Sequence, residues 1–376
     1  MKYIWQLKNW HDFKYDTAAV LKPLGELRLI QGKLLGRVAE LNIGLAVDAQ
    51  ASILVEETIR TAQIEGQTFN REAVRSSVAL KLGLPAGVGV PDRHIDGLVD
   101  VLLDAVRFYD KPLTQARLNG WHASLFPTGY SGLRKIRVGR MRGNEPMQIV
   151  SGPLGKEKIH YEALPRERVD EEMRFFLKWW QTSADQMDGI LRAAQAHLHF
   201  LTFHPYEDGN GRLARAMTDM ALSQDEKIKV RYYSVSSEIV RRRNTYYQIL
   251  EDVQNGRVDV TAWYLWFIQC IHSSIEQSWD MIAGILLRHD FWNKHAQTLI
   301  TDRQKKVINR ILEAGPGNFE GGLTTRKYVN IAGVSRATAF REIADLTAKN
   351  ILRRLPGSGR NAHYDLIWPL VRKIGA

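Results

Sequence analysis

The sequence predicts a mainly α-helical protein with one β-hairpin in mid-chain and a winged helix-turn-helix domain at its C-terminus. Three observations point there. Most of the chain falls into segments with apolar residues at helical spacing, such as Ile95–Asp110 and Asp302–Gly315. The stretch Arg134–Pro153 breaks that periodicity around a Gly-Asn-Glu-Pro turn, which reads as a hairpin. The tail gives a helix, then a helix, an Ala-Gly-Val-Ser turn and another helix, then two short strands around Pro-Gly-Ser-Gly.

Composition sets the frame. The 376 residues suffice for two or three domains, expected over 1–100, 101–290 and 299–376. A hydrophobic content of 44% and a charged content of 25% are ordinary for a globular protein. The one cysteine, Cys270, sits in WYLWFIQCI, so it reads as a core residue and excludes an internal disulfide. The N-terminus has no uninterrupted apolar stretch of signal-peptide type, and no run approaches the ~18 apolar residues of a membrane span. A cytoplasmic, non-membrane protein is expected. The net charge of +11 is uneven: from Leu299 onward there are 14 Lys/Arg against 6 Asp/Glu.

Taken in order, Trp5, Trp10, Phe13 and Tyr15 are aromatic anchors for the opening segment, and Leu21–Leu45 is helical. Ala51–Phe69 reads as a buried helix in which Thr61 and Glu65 share a face and Gly66 ends the run. Leu82–Asp92 is a Gly/Pro loop, and Ile95–Asp110 and Leu113–Phe126 are helices. His122, beside Trp121, reads as a packing histidine. In the hairpin, Val138 is set against Met147, Ile149 and Val150, and its arginines and lysine fit a solvated face. Val169–Ser183 is a helix with aromatics for the core, and the apolar run Val260–Trp279 closes the second domain.

Between two further helical stretches, Ala193–Phe203 and Leu213–Leu222, stands HPYEDGNGRLAR, residues 204–215. Gly209 and Gly211 let successive N–H groups face one concavity at the start of the following helix, where free N–H groups and the dipole favour an anion. Arg212 and Arg215 add guanidinium forks suited to phosphate. Asp208 beside such a nest suits a divalent metal, and His204 at its mouth suits a general base. A plain polar turn with surface ion pairs would not need a histidine, an acid and two arginines at these offsets.

In the tail, Ser335 is placed to cap the second helix of the helix-turn-helix. In a DNA reader Arg336, Thr338 and Arg341 of that helix would meet the major groove, and the positive charge would meet phosphates. The same fold also serves protein docking.

HPYEDGNGRLAR resembles the signature of the Fic family, His-x-Phe-x-Asp/Glu-Gly-Asn-Gly-Arg-x-x-Arg, with Tyr206 standing for Phe. The resemblance implies a Fic-type helical core and a protein adenylyltransferase that moves AMP from ATP to a Tyr, Ser or Thr hydroxyl of a target protein or of itself. By that resemblance His204 deprotonates the hydroxyl and Asp208 holds Mg²⁺ against the phosphates. Gly209, Asn210 and Gly211 cradle them, Arg212 contacts the outer ones, and Arg215 steadies the γ-phosphate. Thr61, Glu65 and Gly66 are similar to the family's inhibitory motif, in which the glutamate pairs with the second arginine, here Arg215. Met147, Gln148, Ile149 and Val150 correspond to the flap that receives the target by strand addition. Asn244 and Tyr247 correspond to the adenine pocket, although a surface helix with a buried tyrosine explains them equally well. A homodimer is implied by the family's habits. Two other functions remain open: a DNA-binding regulator whose Fic domain senses nucleotide, and an enzyme that removes AMP with Glu65 orienting water.

Overall fold

The computed structural model describes residues 3–85, 92–151, 158–256, 258–356 and 362–369. The chain forms two compact units, Met1–Ser278 and Trp279–Ala376. The Gly/Pro loop read at Leu82–Asp92 lies largely outside the described residues, as does the tip of the tail's strand pair.

The first unit is helical as expected. After a short 3-10 turn (Ile4–Gln6) come α1 (Thr17–Ala39), α2 (Ile43–Ile64), α3 (Arg71–Leu82), α4 (Arg93–Arg107) and α5 (Gln115–Leu125). The leucine-rich run Leu21–Leu45 is not one helix. It breaks ahead of Asn42, whose side chain accepts from Leu45 N–H and caps α2. Then follow α6 (Arg166–Thr182), α7 (Gly189–Phe203), α8 (Asn210–Glu226), α9 (Val235–Arg241) and α10 (Arg243–Gln254). The long α11 (Thr261–Lys294) carries the chain onward. Helices α7 and α8 are buried nearly all round, so the loop joining them is fixed by the centre of the unit. The opening aromatics do anchor their segment: Trp10 is buried, and Trp5 donates its indole N–H to the Glu162 carbonyl at 2.8 Å.

The mid-chain hairpin lies elsewhere than the sequence indicated. Residues 143–146 do not turn Val138 back onto Met147. Instead β1 (Tyr130–Ser131) pairs with β2 (Arg134–Lys135), and β3 (Gln148–Ser151) pairs antiparallel with β4 (Lys158–Glu162). The reason is what holds the intervening chain. Arg142 N–H donates to the Pro205 carbonyl at 2.9 Å, and Arg137 N–H donates to the Glu207 carboxylate at 3.1 Å. These bonds tie residues 137–142 to the loop after α7 and leave β3 to find a later partner.

In the second unit α12 (Asp302–Ala314), α13 (Thr325–Ala332) and α14 (Arg336–Ala348) precede the antiparallel pair β5 (Leu352–Arg354) and β6 (Tyr364–Leu366). Ser335 caps α14, accepting from Thr338 N–H at 3.2 Å. Val307, Ile311, Tyr328, Ile343 and Leu366 are among the residues of its own apolar core.

Candidate functional site

The loop after α7 begins with a forced conformation. His204 ends the helix in the left-handed region, φ 50° and ψ 67°, which costs a non-glycine residue energy unless its surroundings hold it. They do. Arg142 is buried and donates Nε to the His204 carbonyl at 2.9 Å and Nη2 to the Leu164 carbonyl. The His204 Nδ1 lies 3.2 Å from the Leu201 carbonyl. A carbonyl only accepts, so Nδ1 carries the proton and Nε2 keeps its lone pair. Burial, with Arg142 adding to it, pushes the imidazole pKa down to about 4. A half-buried, neutral histidine with Nε2 free to accept is suited to take a proton.

Asn210 shapes the loop from within. Its amide accepts from Tyr206 N–H at 3.0 Å and donates to the Tyr206 carbonyl at 2.8 Å, so both of its polar atoms are engaged by the loop backbone. Tyr206 is buried where the signature has Phe, and its hydroxyl donates to Asn119 Oδ1 at 2.7 Å. His122 stacks on Tyr206, donates Nε2–H to the Asp208 carbonyl at 3.2 Å and accepts Gly139 N–H at Nδ1. Burial lowers its pKa to about 4, so it is a neutral packing residue beneath the loop.

Asp208 directs its carboxylate to the loop's open side, accepting from Gly209 N–H at 2.6 Å and from the Ser131 hydroxyl. Gly209 has φ 81°, and an added Cβ would meet the Phe126 ring at 2.9 Å. Arg212 lies 3.6 Å from the Asp208 carboxylate and over the Phe126 ring, and its buried Nε has no partner among the described residues.

Arg215 is almost fully buried, and its fork is shared. Nη2 donates to Glu65 Oε1 at 2.7 Å and to the Thr61 carbonyl at 3.1 Å, while Nε donates to Thr61 Oγ1 at 2.5 Å. The fork is thus shared among one carboxylate oxygen, one hydroxyl and one backbone carbonyl. Burial opposes the charge, but the Glu65 carboxylate more than offsets it, and the guanidinium pKa is raised. Glu65 reaches this position from the end of α2, where Gly66 N–H bonds the Gln63 carbonyl and Gln67 N–H the Ala62 carbonyl. That is a Schellman stop. On the other side, a Cβ on Gly211 would lie 2.3 Å from Glu65 Oε1, so only glycine admits the carboxylate.

These groups meet in one cleft of ≈ 680 Å³. Its walls include Glu65, His204, Asp208, Gly211 and Arg215 at one end, Met147–Val150 of the β3 segment at the side, and Asn244 and Tyr247 of α10. Gly209, Asn210 and Arg212 adjoin the cleft-lining Asp208 and Gly211 along the loop and first turn of α8. The winged-tail candidates Arg336, Thr338 and Arg341 belong to the second unit, where Arg336 and Arg341 are exposed and Thr338 bonds the Ser335 cap.

Several residues of the site carried no signal in the sequence. Arg142 looked like one of five basic residues on a solvated face, yet it fixes His204. Ser131 holds Asp208 from the β1 strand. Arg243 donates to the Ile64 carbonyl at 2.9 Å, and the Tyr247 hydroxyl reaches the same carbonyl at 3.4 Å, so α10 holds the end of α2.

Comparison with known proteins agrees with this geometry. Residues 112–222 match the Fic/DOC family, and residues 3–84 match a family described as a domain of unknown function (DUF4172). The chain thus carries a Fic/DOC domain, of a family whose members commonly transfer AMP or other nucleotide-derived groups to proteins. Its fold is similar to that of a Fic family protein from Desulfovibrio desulfuricans G20, at 19% identity and TM-score 0.51, covering 92% of this chain and 95% of that one. It is also similar to a Fic domain containing signaling protein from Bacteroides thetaiotaomicron VPI-5482, at 17% identity and TM-score 0.52, covering 69% and 97%. Among the described residues no helix is long and apolar enough to cross a membrane.

Proposed function

We propose that this Fic/DOC-domain protein is a protein adenylyltransferase held in check by its own Glu65. The observation that carries the reading is the Arg215 fork, occupied by Glu65 and Thr61 within the cleft that also presents His204 and Asp208. A buried guanidinium in the helix that opens from a loop of this kind suits a phosphate, and here an internal carboxylate occupies its fork.

In the reaction, ATP lies with its base towards Asn244 and Tyr247 and its phosphates on the loop at Gly209–Arg212. The target segment runs beside Met147–Val150, aligned by backbone hydrogen bonds. His204 Nε2 accepts the hydroxyl proton as the hydroxyl oxygen bonds the α-phosphorus, and the bond to pyrophosphate breaks. The half-buried Asp208 carboxylate, at the loop, fits the coordination habits of Mg²⁺, which usually takes one or two carboxylates with phosphate oxygens and water. When bound there Mg²⁺ neutralises charge on the phosphates. Arg215 grips the γ-phosphate only once Glu65 has left it.

The test is self-labelling with α-phosphate-labelled ATP and Mg²⁺. Label in Glu65→Gly, little in wild type and none in Glu65→Gly/His204→Ala is the expected result. No label in any of the three rules out self-modification with AMP, points to another donor or target, and favours the DNA-binding reading. Loss of AMP from a labelled target, dependent on Glu65, would support instead a glutamate that orients water.

A second reading rests on the tail. Arg336 and Arg341 are exposed on α14, in a segment with 14 Lys/Arg against 6 Asp/Glu. Charge of that kind suits contact with DNA phosphates, which would make the protein a DNA-binding regulator whose Fic domain senses nucleotide.

A further inference from the structure

We propose that His11, Glu172 and His199 form a binding site for one divalent transition metal of the zinc class, which fastens the N-terminal segment to the helices beneath the catalytic loop. The three residues come from three parts of the chain: the segment before α1, α6 and α7. His11 Nε2 lies 3.0 and 2.9 Å from the two Glu172 oxygens, and His199 Nε2 lies 2.7 Å from Oε1. All the candidate ligand atoms fall within 4.8 Å of one another. None of the three lines the nucleotide cleft, so the proposed chemistry leaves them without a task.

The surroundings favour a cation. Glu172 is buried, and among the described residues no lysine or arginine pairs with it; the two imidazoles are its ion-pair partners. The cluster is walled by aromatic rings. Phe175 lies 4.0 Å from His11, Trp10 5.0 Å and Phe176 5.2 Å from His199, centroid to centroid. A carboxylate in such a box lacks a fixed positive charge, which a metal ion would supply. Binding needs each Nε2 to present a lone pair to the ion, with the ring proton on Nδ1.

The donor set selects the metal class. Two imidazole nitrogens and one carboxylate suit Zn²⁺ in a four-coordinate site with one water, or Fe²⁺ with further open positions. Water has a route in past His11, whose side chain is 27% exposed against 5% for Glu172. The occupied site would link residues before α1 to α7, the helix that ends at His204.

The experiment uses the full chain, stripped with EDTA, desalted and reloaded with Zn²⁺, with Co²⁺ as a spectroscopic probe and anaerobic Fe²⁺ as a third arm. Wild type should retain one equivalent of metal per chain and show the visible bands of low-coordinate Co²⁺. Its Tm should rise by about 5 °C at free Zn²⁺ a hundredfold above Kd. His11→Ala and Glu172→Gln should lose all three effects. Preferential retention of Fe²⁺ over Zn²⁺ would assign the six-coordinate alternative within the same site. Metal retained equally by the variants would place it elsewhere and overturn the proposal. So would absence of stoichiometric metal, Co²⁺ bands and Tm shift in wild type, a result that does not depend on any variant folding.

Discussion

Replacing Glu65 by glycine removes one charge-assisted hydrogen bond, the 2.7 Å contact between Arg215 Nη2 and Oε1. It leaves the two bonds from Arg215 to Thr61 intact. A hydrogen bond to a charged group contributes about 1.5–3 kcal/mol. If that bond is what ATP must displace, the variant should label about 10- to 150-fold faster than wild type at ATP below saturation. Glu65→Gln keeps an acceptor at the same reach without the charge and should fall between the two. The buried guanidinium then lacks its anionic partner, so Glu65→Gly without ligand should melt below wild type. Added Mg²⁺–ATP should restore the partner and give the variant the larger thermal shift. Initial labelling rates and melting curves measured together check both parts. Equal rates and equal ATP-induced shifts in wild type and Glu65→Gly would refute the brake, because the same bond would then oppose nothing.

Three further outcomes follow from the geometry. Arg142→Met should lower transfer at least tenfold in a Glu65→Gly background, because the His204 carbonyl loses its Nε donor and the left-handed turn its restraint; labelling rates beside a melting curve separate the two effects. With burial holding His204 near a pKa of about 4, its lone pair stays free as pH falls from 8 to 6, so single-turnover transfer should be level across that range, and a steep fall centred near 6.5 would contradict the buried base. His122, His204 and His197, a buried α7 residue bonded to Thr218 and Tyr246, all have folded pKa values depressed by burial, to about 4, 4 and 3, below the unfolded value of 6.5. The unfolded chain therefore binds more protons between about pH 6.5 and 4, and Tm should fall through that window, with His122→Asn reducing the slope.

How much of this was legible beforehand differs from residue to residue. His204, Asp208, Arg212 and Arg215 lie within one turn and one helix start, so their proximity is a local property that spacing alone conveys. The helices were legible for the same reason, since their apolar periodicity and caps such as Ser335 are local signals. The position of the mid-chain hairpin was not. Strand pairing over 130–162 is set by which polar groups residues 137–142 satisfy against the loop after α7, and the partners, Pro205 and Glu207, are more than sixty residues away.

By itself the sequence determined a helical protein with a phosphate-type loop between two buried helices, because helix formation and turn chemistry depend on neighbours along the chain. The family resemblance implied the Glu65–Arg215 pair; only the tertiary structure decided that Thr61 shares that fork, that Arg142 is a buried brace for His204 and not a solvated charge, and that His11 meets Glu172 and His199. Each of those contacts joins residues 62 to 188 positions apart, apart from the 27 that separate Glu172 from His199. At such separations nothing in residue type or spacing encodes a partner; packing of the helices brings them within bonding distance.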